Sequence, residues 1–387
     1  MLEMSHSVRL GTVSSLSLLY GLTSLFFLHG STGLLIPEPT GRYAVALSTT
    51  KLVDESRVDP FDTKHGYRNV MTSLFYPIDR NKCEQMCAVP YMPPVTAVYA
   101  GAFFAQFGAP SDNETFGAIQ LQVCCKPSTA AAKNATNFPL VLFSPGLGSS
   151  RLLYNALAQN LASAGYAVVT FDSAFDATIP YNTSYASEQL VALVETRNAD
   201  ARFVLAQYGS EQLITTLIPG ATSGFNTTRV AIYGHSLGGA TAVGTLMQDE
   251  RFVGAINLDG SQFGPLYDTH RPVLLFGRAE PTSHNRTDDA TWQKAWGFLK
   301  GWRRELGIHD IQHVAYGDYA LLIKLEGWPL TDGIKAMIGT LDGQRAFDVQ
   351  SRYIQAFIDF VLKGERSNLL VRPSDAYPEV VVGDGNE

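Results

Sequence analysis

From residue 139 onward, short apolar runs alternate with stretches of helical periodicity. Residues 139–143 (Pro-Leu-Val-Leu-Phe) and 166–171 (Tyr-Ala-Val-Val-Thr-Phe) are almost continuously apolar. That is the pattern of strands covered on both faces. Between them, 152–164 reads as an amphipathic helix stopped by Gly165, and 187–208 as a long helix stopped by Gly209. Val230 and Ile232 alternate with polar or small residues and predict a strand; Ala240, Val243, Gly244, Leu246 and Met247 follow at helical spacing. Further strands are expected over 253–258 and 272–276, a helix over 291–306, and another strand near 310–314. A closing amphipathic helix is expected over 345–362, with Phe347, Tyr353, Ile354, Phe357, Ile358 and Val361 on its apolar side. Strands in regular alternation with helices predict an α/β fold, a mostly parallel sheet with helices on both faces.

The earlier chain is less regular. Residues 43–47 and 68–76 alternate β-branched or aromatic residues and read as strands. The segment 81–138 carries all four cysteines (Cys83, Cys87, Cys124 and Cys125), Pro90, Pro93 and Pro94, and reads as an insertion stapled by disulfides, with a short helix over 97–107. Adjacent cysteines do not easily bond each other, so 124 and 125 each reach back to 83 or 87. Residues 34–365 then form one domain, and 366–387 a polar, mobile tail. No internal repeat is visible.

Charge and location narrow the partners. The formal charge of −7 without a basic cluster speaks against nucleic acid. Arg9 followed by the apolar stretch 10–28 and the small residues of 29–33 resembles a secretory signal peptide over 1–33. A membrane anchor over 10–28 is the alternative, weakened by the embedded Ser14, Ser15, Ser17, Thr23 and Ser24. Asn113, Asn134, Asn182, Asn226 and Asn285 each open an Asn-x-Ser/Thr sequon in segments read as loops or element edges. Leader, sequons and paired cysteines together point to a secreted chain.

The candidate chemistry begins at Gly234-His-Ser-Leu-Gly238, a G-x-S-x-G set between a strand and a helix. In that context the pattern predicts a nucleophile elbow with Ser236 at a strained turn. Gly234 and Gly238 remove the Cβ atoms that would collide there, and the helix start favours developing negative charge. A serine hydroxyl needs a base, and the base needs an acid to hold its tautomer. Ligands of an open α/β sheet gather at the carboxyl ends of strands, which selects Asp259 and, later in the chain, His313. His309 and His284 are the competing bases; Asp268, Asp249 and Asp288 are the less suitably placed acids. His235 is expected to point away from Ser236. The glycine-rich stretch 144–150 supplies an oxyanion donor, Leu147 N–H, beside that of Leu237. His309-Asp-Ile-Gln-His313 approximates a zinc H-E-x-x-H motif, but it has aspartate for glutamate and a β-like setting after Gly307. No metal or organic cofactor is implied.

Phe143-Ser-Pro-Gly-Leu-Gly148, Gly234-His-Ser-Leu-Gly-Gly239, Asn257-Leu-Asp-Gly260 and Gln312-His313 with Tyr316-Gly-Asp-Tyr319 resemble the platelet-activating factor acetylhydrolase family, from about Arg42 to the closing helix. The resemblance implies an α/β-hydrolase fold and a secreted, fungal-type member. It implies Ser236 as nucleophile, Asp259 as acid, His313 as base, and Leu147 and Leu237 as oxyanion donors. The implied substrate is a short acyl ester, such as the sn-2 acetyl group of a phospholipid, with contact to a lipid surface. Pro145, where relatives commonly carry histidine, and the loop 172–176, without the basic residue often found there, depart from the family in regions that shape the substrate pocket. A polyester, cutin or secondary-metabolite esterase, and an inactive binding module, are the alternative readings. Trp292 and Trp296 could face lipid or pack in the core.

Overall fold

The computed structural model describes residues 33–110, 115–174 and 186–386. The leader and anchor readings, Asn113 and Asn182 lie outside these residues. Among the described residues no helix is long and apolar enough to cross a membrane.

Eleven strands are described: β1 (Ala44–Val58), β2 (Tyr67–Ile78), β3 (Cys83–Pro90), β4 (Gln120–Pro127), β5 (Leu140–Ser144), β6 (Ala167–Ser173), β7 (Val230–His235), β8 (Phe252–Leu258), β9 (Val273–Arg278), β10 (Arg303–Ile308) and β11 (Val380–Gly385). Nine build one sheet in the order β1-β2-β6-β5-β7-β8-β9-β10-β11. The six strands from β6 to β10 in that order are parallel. β2 and β1 on one side and β11 on the other are antiparallel. Strand order reverses around β5, with β6 on one side and β7 on the other, so the loops after β5 and β7 open side by side into one crevice.

The pleat sorts the apolar residues into two layers. Val141, Phe143, Ala231, Tyr233, Ile256 and Leu258 pack beneath helices Asn155–Ser163, Tyr319–Leu325 and Gly343–Lys363. Leu140, Leu142, Val230, Ile232 and Ala255 pack beneath Ser187–Tyr208 and Leu237–Gln248. Covered on both faces, β5 and β7 have no exposed position, which explains their unbroken apolar runs.

The 81–138 segment forms the two-stranded β3–β4 sheet plus helix Pro94–Ala105, closed by disulfides Cys83–Cys124 and Cys87–Cys125. Three expectations need correction. Residues 310–314, expected near a strand, hold an isolated bridge at Ile311 and the start of the helical turn His313–Ala315. The helix expected over 291–306 is only Ala290–Trp296; Gly297 caps it, and Arg303–Ile308 is β10. The charges that hid this strand are satisfied there, Glu305 by Arg286 and Arg304 by the carbonyls of Gly383 and Asn386. Of the expected mobile tail 366–387, the described residues 366–386 are ordered: they hold the short turn of helix Asn368–Leu370 and then β11, which pairs along β10.

Candidate active site

The elbow follows from sterics. Ser236 has φ 55° and ψ −124° between β7 and helix Leu237–Gln248. A Cβ at Gly234 would lie 2.1 Å from the Gly238 carbonyl oxygen, and one at Gly238 2.0 Å from that of Ser144. Only glycine permits this contact between the elbow and the β5 loop. Ser236 N–H donates to the Leu258 carbonyl, and Asp259 N–H to that of Phe276, so the ends of β7, β8 and β9 stay in step. Asp259 also takes a positive φ, 55°, which turns its carboxylate toward the serine. A Cβ at Gly260 would sit 1.9 Å from the Ser236 carbonyl oxygen. Asn257 locks this turn by bonding both the N–H and C=O of Gly260.

His313 starts a short helical turn, His313–Ala315, after β10. Its Nε2 lies 2.9 Å from Ser236 Oγ, and its Nδ1 2.6 Å from Asp259 Oδ2. The structure thus brings together Ser236, His313 and Asp259. Leu147 and Leu237 line the same cleft, of about 580 Å³, with Leu190 and Phe263 on its apolar side. The competing residues lie elsewhere or do something else. His309 is half-buried and faces the Glu280 carbonyl. Asp249 pairs with Arg251, and Asp268 lies near Lys300. Asp288 accepts from Ser283 at the cleft.

Two further histidines flank the acid–base pair of Asp259 and His313. His235 turns from Ser236, as expected, but it supports the base. Its Nε2 donates to the His313 carbonyl at 2.9 Å, so Nδ1 accepts from Tyr154 Oη at 2.8 Å. Tyr154 Oη in turn accepts from Gly146 N–H in the β5 loop. Burial, then the neighbouring His313, pushes His235 down to about 3, in keeping with a neutral ring. His284 lies on the other side of Asp259, its Nδ1 2.7 Å from Oδ1 and its Nε2 2.8 Å from Asp289 Oδ2. Burial opposes charge on this ring, yet the bonds to the two carboxylates push it up to about 9. Burial would raise Asp259, but hydrogen bonds from His284 and His313 hold it below the ordinary carboxylate range. Arg278 Nε lies 2.8 Å from Asp259 Oδ2, out of line for a hydrogen bond. Sequence reasoning had Asp259 and His313; it treated His284 only as a rival base. A histidine five residues before an aspartate, after a strand adjacent to the acid's own, was the available signal.

Trp292 is fully buried, packs its ring against His284 and donates its Nε1–H to the Gly260 carbonyl. The guanidinium groups of Arg286 and Arg303 both lie over the Trp296 ring. Neither offers a lipid-facing patch.

Comparison with known proteins agrees with this architecture. Residues 29–204 match the model of platelet-activating factor acetylhydrolase, isoform II, and residues 141–364 match the alpha/beta hydrolase family. A probable 1-alkyl-2-acetylglycerophosphocholine esterase of Arthroderma benhamiae is 29% identical over 90% of this chain and 94% of its own length. The platelet-activating factor acetylhydrolase of Cavia porcellus is 30% identical over 58% of each chain. The solved ferulic acid esterase of Streptomyces cinnamoneus superposes with a TM-score of 0.73 at 30% identity, over 91% of this chain and all of its own. The chain resembles the platelet-activating factor acetylhydrolases over residues 29–204, belongs to the α/β-hydrolase family, and is a carboxylic ester hydrolase.

Proposed function

We propose that Ser236, His313 and Asp259 act as a catalytic triad that removes a short acyl group from an ester, with 1-alkyl-2-acetylglycerophosphocholine as the model substrate. The observation that carries this is the unbroken line from Asp259 Oδ2 through both His313 nitrogens to Ser236 Oγ. Asp259 fixes the tautomer with the proton on Nδ1, which leaves Nε2 free to accept from the serine. As Oγ attacks the ester carbonyl, its proton passes to Nε2, and the tetrahedral oxyanion forms beside Leu147 and Leu237. Their amides act as donors, each contributing on the order of 3 kcal/mol in the transition state. Nε2 then protonates the departing alcohol. Water, activated by the same nitrogen, releases the acid from the acyl-enzyme.

The acyl group rests on the apolar wall of Leu147, Leu190, Leu237 and Phe263. The name of the Arthroderma relative supports the acetylated phospholipid. A second reading, an aromatic acyl ester, is supported by the likeness to the ferulic acid esterase. The test is one panel: 1-alkyl-2-acetylglycerophosphocholine, p-nitrophenyl esters from acetate to octanoate, and methyl ferulate, each with wild type and Ser236→Ala. Acetyl transfer to water that falls about 10⁴-fold or more in Ser236→Ala is expected. Hydrolysis confined to the ferulate favours the second reading, and activity surviving in Ser236→Ala defeats the triad. A fluorophosphonate probe should label wild type alone.

Export is part of the same proposal. Asn134 and Asn226 are exposed, Asn285 is half-buried, and the disulfides suit an oxidising compartment. Expression in a eukaryotic host followed by glycosidase treatment should give medium-borne protein whose mass falls on deglycosylation. Retention inside the cell, without glycans, would contradict export.

A further inference from the structure

The acid of this site is gripped from two sides, and the second grip has no place in a three-residue triad. Asp259 presents Oδ2 to His313 and Oδ1 to His284. The far nitrogen of His284 meets another carboxylate, Asp289 Oδ2. Ionised carboxylates only accept hydrogen bonds, so both His284 nitrogens must carry protons to make these contacts. We propose that His284 is a positioning residue, protonated on both nitrogens at neutral pH, that clamps Asp259 opposite the base and offsets part of its charge. The proposal rests on the reading of Ser236, His313 and Asp259 as the triad.

The surroundings are built for a cation. Asp289 is anchored by Ser261 Oγ and by the amides of Thr291 and Trp292, so it cannot swing away. The Trp292 ring lies against the imidazole, tilted by 31° with centroids 4.4 Å apart, a contact that favours a cation. The other charged groups nearby are accounted for. Arg278, from β9, lies against Asp259 Oδ2. Asp288 is held by Ser283. Arg286 is paired with Glu305 and Asp384. His313 occupies the remaining oxygen of Asp259. The elevation of His284 to about 9 agrees with this arrangement.

The consequence is a fixed acid. With Oδ1 held by His284, Asp259 keeps Oδ2 turned to His313 Nδ1, and Nε2 stays aimed at Ser236 Oγ. When His284 loses its proton, a lone pair faces a carboxylate and the clamp on Asp259 slackens, which gives the enzyme an alkaline limb.

The experiment compares kcat/KM against pH for wild type, His284→Gln and Asp289→Asn on p-nitrophenyl acetate, with Ser236→Ala as the blank. Wild type should show an alkaline limb near 9. In His284→Gln, which keeps an uncharged donor, the alkaline limb should vanish. In Asp289→Asn the alkaline limb should move down. A purely structural histidine would instead lower activity by one factor at every pH, and parallel profiles overturn the proposal. If either variant fails to fold, ¹⁵N-histidine spectra of the wild-type protein decide. A ring with two N–H protons at pH 8, assigned to His284 by line-by-line comparison with the other seven histidines, supports it; a ring already neutral there overturns it. Activity persisting in Ser236→Ala would strike the triad reading, whereas the ring's proton count is independent of that reading.

Discussion

His235 shows how one side chain can connect two halves of a reaction site. It joins the His313 carbonyl, on the base, to Tyr154 and so to Gly146 in the loop of the oxyanion donor Leu147. Replacing it by phenylalanine keeps the ring and strands two buried polar groups, each costing about 1–3 kcal/mol. His235→Phe should therefore lower both the melting temperature and kcat, the latter by about 10-fold or more, with KM little changed. Unaltered kcat by initial-rate kinetics would show that the link is idle. The two supporting histidines also set opposite pH limits on stability. His235 stays neutral when folded, so as pH falls from about 6.5 toward 3 the unfolded chain takes a proton that the fold refuses, and stability drops. His284 is raised to about 9, so its contribution is complete below about 6.5 and is lost as pH rises through 9. Denaturant unfolding across pH 4–10 should give a dome, and His284→Gln should flatten its alkaline side alone. The sequence carried the elbow because sterics leave no choice there: Gly234, Gly238 and Gly260 have carbonyls about 2 Å from where a Cβ would stand. It did not carry the role of His235, whose partner Tyr154 is 81 residues away, and the spacing of His284 to Asp289 shows only half of the clamp, because Asp259 is 25 residues away.

At the scale of elements, the disulfide-closed insertion reaches the site through aromatic packing. Phe104, on helix Pro94–Ala105, is fully buried and stacks on Tyr319, and the Tyr319 hydroxyl bonds Ser149 in the β5 loop. Tyr91, at the helix entry, donates to Asp318, whose carboxylate also accepts the amides of Ala156 and Leu157 at the start of helix Asn155–Ser163. The insertion thus props the loop bearing Leu147 and the helix behind it. Cysteine spacing made the staple legible, with separations of 41 and 38 residues, but not what it props, since that depends on aromatic rings meeting residues more than 200 positions away. Each bridge closes a loop whose lost chain entropy is worth about 4 kcal/mol, with the two not additive because the loops overlap. Cys87→Ser with Cys125→Ser should lower stability by several kcal/mol in denaturant unfolding and leave the Ser236–His313 machinery able to react with a fluorophosphonate at low temperature. Loss of labelling in the still-folded variant would mean that the staple sets the site geometry directly. Phe104→Ala, by removing a fully buried ring, should cost about 3–5 kcal/mol.

Over the whole molecule, the buried parallel strands were legible because both faces are covered, whereas the final edge was not. β10 begins Arg-Arg-Glu and β11 ends Gly-Asp-Gly, so neither has the composition of a core strand. Their charges are neutralised only once the two strands lie side by side: Arg304 meets the carbonyls of Gly383 and Asn386, and Asp384 meets Arg286. That edge leads straight into the site. His309 N–H donates to the Glu379 carbonyl, Arg345 of the closing helix pairs with Glu379, and four residues later stands His313. A chain ending at residue 365 would leave β10 as an open edge with unpaired backbone groups, and would uncover the seats of Leu370 and Val380, which are 2% and 4% exposed. At about 1.5–3 kcal/mol for each such side chain, with the Glu379 contacts added, the truncation should lower stability by on the order of 5 kcal/mol. Scanning calorimetry and light scattering of the truncated protein should show a melting temperature lower by several degrees and a rise in self-association. Activity should fall with it, because the segment that delivers His313 loses its anchor. Truncation that left melting temperature and kcat untouched would return residues 366–387 to the role of a dispensable tail.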